Sequence, residues 1–196
     1  HCISSAASDV YKRQEYELTH LDIVHYDIKT DKLGLEWNGF KAVFLSDLHD
    51  NSFGMKNEEL LAAIEKEQPD IVLIGGDMLV VKEWAAPHFD MLANLYKKLV
   101  KRYPVYYAFG NHEQRMKEEP LTYPGWWQSY WKVLKDSGMH VLVNKSEEII
   151  KNGTAMRISG ITLPRECYRK GRIPSLSAGY ICLLYTSPSP RDRQKS

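Results

Sequence analysis

The sequence lacks long apolar runs, lacks an excess of charge of either sign and contains few cysteines. No hydrophobic stretch approaches the roughly 20 residues that a membrane-spanning helix requires, and neither end has the apolar run of a signal peptide. Lysine and arginine together number 26 and aspartate and glutamate 25, for a formal net charge of +1. This balance gives no indication of nucleic acid or of an anionic membrane surface as the main partner.

The scarcity of cysteine matters more once the chain ends are set aside. Residues 1–14 and 180–196 resemble translated sequencing-adapter readthrough, so we predict a non-native or disordered tail at each end of a domain at 15–179. Natural disordered tails are the alternative. Two of the three cysteines, Cys2 and Cys182, fall in these tails. Cys167 then has no partner for an internal disulfide, and the cysteines do not indicate a compartment.

Length and composition predict one globular domain with a sizeable core, since 43% of the 196 residues are hydrophobic. Three apolar runs, Ala42–Leu45, Ile71–Ile74 and Val105–Phe109, are typical of buried strands, and helical patterns separate them. Partial alternation predicts a further strand within Leu18–Thr30. The pair Asn152-Gly153 predicts a late antiparallel hairpin.

Each of the three apolar runs is followed closely by side chains that are able to bind a metal ion. In open α/β sheets, ligands bind outside the carboxyl ends of the strands. Side chains two positions apart on an extended strand point the same way, so Asp47 and His49 are expected to converge. By itself, an Asp-x-His pair is as compatible with chance or with a capping role as with metal binding. The later polar residues are Asp77 after the second run, and Asn111, His112 and Glu113 after the third.

The three motifs Asp47-Leu48-His49, Gly76-Asp77 and Gly110-Asn111-His112-Glu113 resemble, in this order, those of the calcineurin-like metallophosphoesterase superfamily. The resemblance covers roughly residues 16–165. It implies an α/β fold, a metallophosphoesterase-type βαβ sandwich with mixed sheets flanked by helices. The neighbourhood of Ser46-Asp47-Leu48-His49 is most similar to a bacterial branch that often carries an N-terminal anchor. Membrane association is therefore expected only through an anchor missing from this chain.

The resemblance also implies dinuclear, metal-dependent hydrolysis of a phosphorylated substrate by a metal-bridging hydroxide. Asp77 would bridge two divalent ions, which these ligand types allow to be manganese, iron or zinc. Asp47 and His49 would bind one ion, and the amide oxygen of Asn111 the other. Asn111 and His112 would contact the substrate, and His112 would assist the leaving group, a task that suits a histidine pKa near neutrality.

One part of the family pattern is missing from the sequence. The family completes its metal site with later histidines, in a Gly-His and then a Gly-His-x-His motif, and neither motif follows His112. The single later histidine, His140, follows Met139 and does not match. We therefore expect a domain that is incomplete at the C-terminus and carries a half-built site. The alternatives are a non-catalytic scaffold and an inactive fragment on the same fold.

Several neighbouring residues have structural interpretations. Asn57 is predicted to cap a helix, and Gly76 to allow close backbone approach beside Asp77. Many superfamily members carry an acidic or amide residue four positions after this aspartate, where this sequence has Val81. Glu113 is expected to orient His112.

Overall fold

The computed structural model describes residues 20–168, which form a parallel sheet, four α-helices and a hairpin. The strands are β1 (Ala42–Leu45), β2 (Ile71–Ile74), β3 (Val105–Tyr107), β4 (His140–Val141), β5 (Lys145–Lys151) and β6 (Thr154–Gly160). The helices are α1 (Glu58–Glu67), α2 (Phe89–Val100), α3 (Asn111–Glu118) and α4 (Trp126–Ser137). The tails predicted at 1–14 and 180–196 lie outside the described residues.

The four-stranded sheet has the order β1-β2-β3-β4, and every neighbouring pair is parallel. Helices connect the successive strands, because a parallel neighbour is reached only by a long crossover. All four strands therefore end at the same edge of the sheet. The predicted α/β class is confirmed, with the antiparallel strands in a separate two-stranded sheet.

The helices cover one face of the sheet. Alternate residues of β2 and β3 point to this face, where Val72, Ile74, Val105 and Tyr107 pack against the four helices in one apolar cluster. Leu92 of α2 is completely buried in this cluster, which stabilises the fold by about 1.5–3 kcal/mol relative to an exposed side chain. Most of the core therefore lies on this side of the sheet.

The β5–β6 hairpin packs on the opposite face. Ile149 and Ile158, one from each strand of the hairpin, contact a small cluster of buried residues, which are Ile71, Tyr106 and Leu142. This cover does not extend over β1, where Phe44 is 67% exposed. The two faces of the sheet are therefore buried unequally.

The predicted hairpin turn is confirmed, whereas the predicted helix cap is wrong. Lys151 pairs with Thr154 across a two-residue loop, and both loop residues have positive φ, 50° at Asn152 and 84° at Gly153. This is the geometry of a type I′ turn, which matches the twist of the two strands. Asn57 does precede α1, but its side chain does not cap the helix. Its Oδ1 instead accepts a hydrogen bond from the Phe53 N–H at 3.1 Å.

The predicted strand within Leu18–Thr30 is wrong. From residue 20 to residue 30 the chain forms no helix and no strand. Ile23 and Ile28 are 48% and 86% exposed, so the apolar alternation has no sheet to pack against. Within residues 20–168, none of the helices combines the length and apolar character needed to cross a bilayer.

Candidate metal centre

The carboxyl edge of the sheet brings together the polar residues that follow the strands. Asp47 and His49 come after β1, Asp77 after β2, and Asn111 and His112 open α3 after β3. One oxygen or nitrogen each from Asp47, His49 and Asp77 lies within 4.8 Å of the other two. Two carboxylates and an imidazole at this separation are a donor set suited to a divalent metal ion.

The backbone at this edge adopts an unusual conformation. Four non-glycine residues, Asp47, His49, Asp50 and Asp77, have left-handed φ values of 56°, 51°, 59° and 52°. Asp and His adopt this region more readily than most residues, and each such residue still costs on the order of 1–3 kcal/mol. The surrounding structure must therefore hold these residues in place.

Hydrogen bonds between the two loops provide that support. Backbone N–H groups of the loop after β1 donate hydrogen bonds to carbonyl oxygens of the loop after β2, and each N···O distance is 3.1 Å. The donor and acceptor pairs are Asp47 to Gly76, His49 to Asp77, and Asp50 to Met78. In return, Val80 N–H donates to Asp50 Oδ2 at 2.8 Å. The two loops thus continue the pairing of the strands beyond the end of the sheet.

This geometry corrects the reason given for the convergence of Asp47 and His49. The strand ends at Leu45, and neither residue is extended, so alternation along a strand does not align them. The left-handed turns do so instead, and they place His49 Nε2 3.6 Å from Asp47 Oδ1. The other oxygen of Asp47 accepts a hydrogen bond from Ser46 Oγ at 2.5 Å. Asp47 Oδ1 is therefore the oxygen that faces the imidazole.

Exposure differs sharply among the three candidate ligands. Asp77 is only 8% exposed, whereas the side chains of Asp47 and His49 are 63% and 44% exposed. The centre therefore has one buried carboxylate and two ligands that open to solvent. The centre is open to solvent on the side of Asp47 and His49.

The Asn111 side chain tests whether a cation fits here. Its amide oxygen faces the carboxylate of Asp77, and the closest approach is 2.6 Å, to Oδ2. Two oxygens at this distance repel each other unless a cation or a proton lies between them. With the amide reversed, its nitrogen donates to both Asp77 oxygens, at 3.3 and 2.6 Å. The reversed amide satisfies both groups without a cation. The fit to a divalent ion rests instead on the donor set, which offers two carboxylates, an imidazole and an amide oxygen.

His112 is held by two hydrogen bonds, one at its backbone and one at its ring. Its backbone N–H donates to Asp77 Oδ1 at 2.8 Å, and its ring Nδ1 accepts from the Val81 N–H at 3.1 Å. Because Nδ1 is an acceptor, the neutral ring carries its proton on Nε2. The ring lies 5.3 Å from the His49 ring, centroid to centroid.

The surroundings of His112 favour the uncharged ring. Burial is the main cause that lowers the pKa of His112 below 6.5; the Asp77 carboxylate opposes it, and His49 adds to the lowering. An imidazolium has no acceptor nitrogen, so protonation would also break the bond with Val81. Position 81 thus contributes its backbone N–H to the site, although its side chain is apolar.

The comparison with known proteins agrees with this geometry. The family model for calcineurin-like phosphoesterases matches residues 40–182. This chain belongs to the calcineurin-like phosphoesterase family. Members are metal-dependent hydrolases of phosphoesters. The chain is also similar to the uncharacterized metallophosphoesterase YkoQ of Bacillus subtilis (strain 168), with 30% identity over 147 residues.

That similarity covers 74% of this chain and 52% of the Bacillus subtilis protein. The chain thus spans about half the length of the curated relative that it matches. The matched family region contains the Asp47, His49 and Asp77 cluster, so the candidate metal centre lies within the calcineurin-like phosphoesterase part of the chain.

The role expected for Glu113 is wrong. Its carboxylate is completely buried and accepts hydrogen bonds from the backbone and from a tyrosine, not from the His112 ring. Oε2 accepts from the N–H groups of Asp77 and Gly110, each at 3.0 Å. Oε1 accepts from the Met78 N–H at 3.3 Å and from the Tyr107 hydroxyl at 2.6 Å. Glu113 therefore fixes the loop that carries Asp77.

One sequence signal points to part of this role. Glu113 is the third residue of a helix that begins directly after Gly110, and a glutamate there often accepts a hydrogen bond from the N-cap backbone. The bonds to residues 77 and 78 have no such local signal, because those residues lie more than 30 positions away. Burial raises the pKa of Glu113 above 4.5, while the hydrogen bonds from Tyr107 and from the Asp77 backbone oppose the rise.

Proposed function

We propose that the protein hydrolyses phosphoesters with two divalent metal ions bound around Asp77. The observation that carries this proposal is the position of the Asp77 carboxylate, which lies close both to the Asp47–His49 pair and to the amide of Asn111. A carboxylate in this position would be shared by the donor sets of both ions. Asp47 and His49 would hold one ion, and Asn111 the other.

Metal ions bound there would neutralise charge on the phosphoryl oxygens and supply hydroxide at neutral pH. The chain's own residues set the charge and the shape of the site. Asp47 and Asp77 contribute two negative charges against the four positive charges of two dications. The loaded centre therefore stays positive and attracts a phosphate anion. The open side at Asp47 and His49 gives that anion access.

His112 would act at the leaving group. Since Val81 occupies Nδ1, the proton of the neutral ring lies on Nε2 and is available to a substrate oxygen. We propose that this N–H donates a hydrogen bond to the leaving-group oxygen and stabilises the negative charge that develops there. The bond from the His112 backbone to Asp77 keeps the ring next to the metal centre.

The test is hydrolysis of an aryl phosphodiester with added manganese by the protein that the full gene encodes. Asp77→Ala is expected to lower kcat/KM by more than the roughly 10–100-fold that outer partners of a metal ion contribute. Asp136→Ala is the matched control. It removes an exposed carboxylate of α4 that pairs with Lys132, and it is expected to leave activity unchanged.

Activity that survives Asp77→Ala would refute the proposal. Metal analysis provides a separate criterion, because a hydrolase should retain manganese in proportion to protein whereas a scaffold on this fold need not. Purified wild-type protein without such metal binding would favour the scaffold interpretation.

A further inference from the structure

Three tyrosine hydroxyls form a continuous chain inside the helical side of the core. Tyr96 of α2 lies 2.7 Å from Tyr130 of α4, oxygen to oxygen, and Tyr130 lies 2.6 Å from Tyr107 of β3. The Tyr107 hydroxyl in turn donates to Glu113 Oε1 at 2.6 Å. All three tyrosines are completely buried. The chain therefore links two helices and a strand to one carboxylate.

The direction of the hydrogen bonds follows from counting protons. Each hydroxyl has one proton to donate. Since Tyr107 donates to Glu113, Tyr130 must donate to Tyr107, and Tyr96 to Tyr130. Every proton of the chain thus points toward the carboxylate. In such chains each bond polarises the next, so the last donor is the strongest.

Packing alone does not account for these hydroxyls. Phenylalanine would fill the same space, and burying a hydroxyl costs free energy unless it is hydrogen-bonded. The region contains three buried hydroxyls that satisfy one another and finish on Glu113. The role proposed above for the metal ligands uses none of them.

Glu113 connects the chain to the metal centre. Its four partners are all donors, and two of them are the N–H groups of Asp77 and Met78. The carbonyl oxygens of the same two residues accept hydrogen bonds from backbone N–H groups of the loop after β1. A shift of the Glu113 carboxylate would therefore move the left-handed backbone at Asp77, the most buried candidate ligand.

We propose that Tyr107, Tyr130 and Tyr96 are positioning residues for the metal centre, because together they fix the Glu113 carboxylate that holds Asp77. The inference rests on the proposed function in that Asp77 is taken as a metal ligand. The hydroxyls touch neither metal nor substrate, so they act on affinity for the ion through the position of Asp77.

The first test measures manganese binding by titration calorimetry with the 196-residue chain. Tyr107→Phe is expected to weaken binding about 10-fold, at the lower end of what outer partners of metal ligands contribute. Tyr130→Phe is expected to weaken it by a smaller factor. The matched control is Tyr106→Phe, which removes a hydroxyl from the neighbouring residue on the opposite face of β3 and is expected to leave binding within about 2-fold.

A double-mutant cycle tests the linear order of the chain. Once the Tyr107 hydroxyl is gone, the Tyr130 hydroxyl no longer reaches Glu113 through it. The variant with both substitutions is therefore expected to bind manganese as tightly as Tyr107→Phe alone. Additive losses of manganese affinity in the double variant would mean that the two hydroxyls act separately, and this result would refute their linear order.

The second readout needs no metal. Hydrogen exchange of the Asp77 and Met78 amides, both bonded to Glu113, is expected to be about 10-fold faster in Tyr107→Phe than in Tyr106→Phe, relative to the core amide of Leu95. A purely structural role would change exchange and unfolding at all positions alike. Equal relative exchange in the two variants, with equal manganese affinity, would overturn the proposal.

The two readouts also separate this inference from the proposed function. If wild-type protein binds no manganese, the proposed function fails, and amide exchange alone decides whether the tyrosine chain positions Asp77. If Tyr107→Phe does not fold, Tyr130→Phe replaces it with the same readouts. A Tyr130→Phe protein that matches Tyr106→Phe in both measurements would then overturn the proposal.

Discussion

Replacing Glu113 with glutamine removes the charge of a buried side chain while it keeps the size and shape. The amide has one acceptor oxygen where the carboxylate has two, so its NH₂ group must face the donors on one side. Facing Tyr107 and Met78 costs least, because the Tyr107 hydroxyl accepts from the amide once the hydroxyls of the tyrosine chain reverse together. The Met78 N–H, which donates at 3.3 Å, then loses its partner.

The expected loss follows from these contacts. One abandoned bond to a charged group costs about 1.5–3 kcal/mol, and the other three bonds lose their charge assistance. We therefore expect Glu113→Gln to lower the free energy of unfolding by about 2–4 kcal/mol, a large share of the roughly 5–15 kcal/mol of a typical domain. Urea unfolding followed by tryptophan fluorescence measures this loss.

The matched control is the same substitution on the exposed side of the same helix. Glu118 accepts a hydrogen bond from Gln114 at the surface, and Glu118→Gln is expected to change the free energy of unfolding by less than about 0.5 kcal/mol. If the two variants unfold at the same urea concentration with the same slope, Glu113 does not hold the Asp77 loop, and the reasoning is refuted.

Two further predictions concern the same edge of the sheet. By NMR titration of the metal-free protein, the pKa of His112 should lie below 6.5. Since the unfolded chain then binds the proton more tightly than the folded protein, the contribution of His112 to stability should rise with pH through the window below 6.5. A measured pKa at or above 6.5 would contradict the prediction. Gly76→Ala should destabilise the fold more than Gly39→Ala in urea unfolding. Both glycines have positive φ, which costs an alanine about 1–2 kcal/mol, but only at Gly76 would a Cβ also overlap the backbone of Gly110. Equal losses of unfolding free energy in the two variants would argue against this close approach.

The sequence allowed the position of the centre to be predicted better than its conformation. Parallel strands that end at one edge are a consequence of the βαβ pattern, so Asp77 and Asn111 could be placed together without coordinates. The alignment of Asp47 with His49 was predicted on the wrong basis. Their left-handed turns depend on hydrogen bonds to residues 76 and 77, nearly 30 positions away, which no local pattern reveals.

Glu113 and residues 20–30 both show that local sequence does not determine burial. A glutamate is seldom fully buried, and here it is buried because four donors from separate parts of the chain meet at one point. Ile23 and Ile28 have the pattern of a strand but remain exposed, because no neighbouring strand pairs with them. In both cases contacts between distant residues override the local preference.

The bonds between the loops after β1 and β2 also bear on how a metal ion would enter and leave. Because three backbone hydrogen bonds between the loops hold the left-handed turns, the empty and loaded proteins are expected to share one backbone. The solvent-facing ligands Asp47 and His49 then give the ion a direct path to water within residues 20–168, and exchange is limited by its release from the buried Asp77. Rapid turnover of the bound ion, at nearly constant amide chemical shifts far from the centre, would be the kinetic signature of this rigidity.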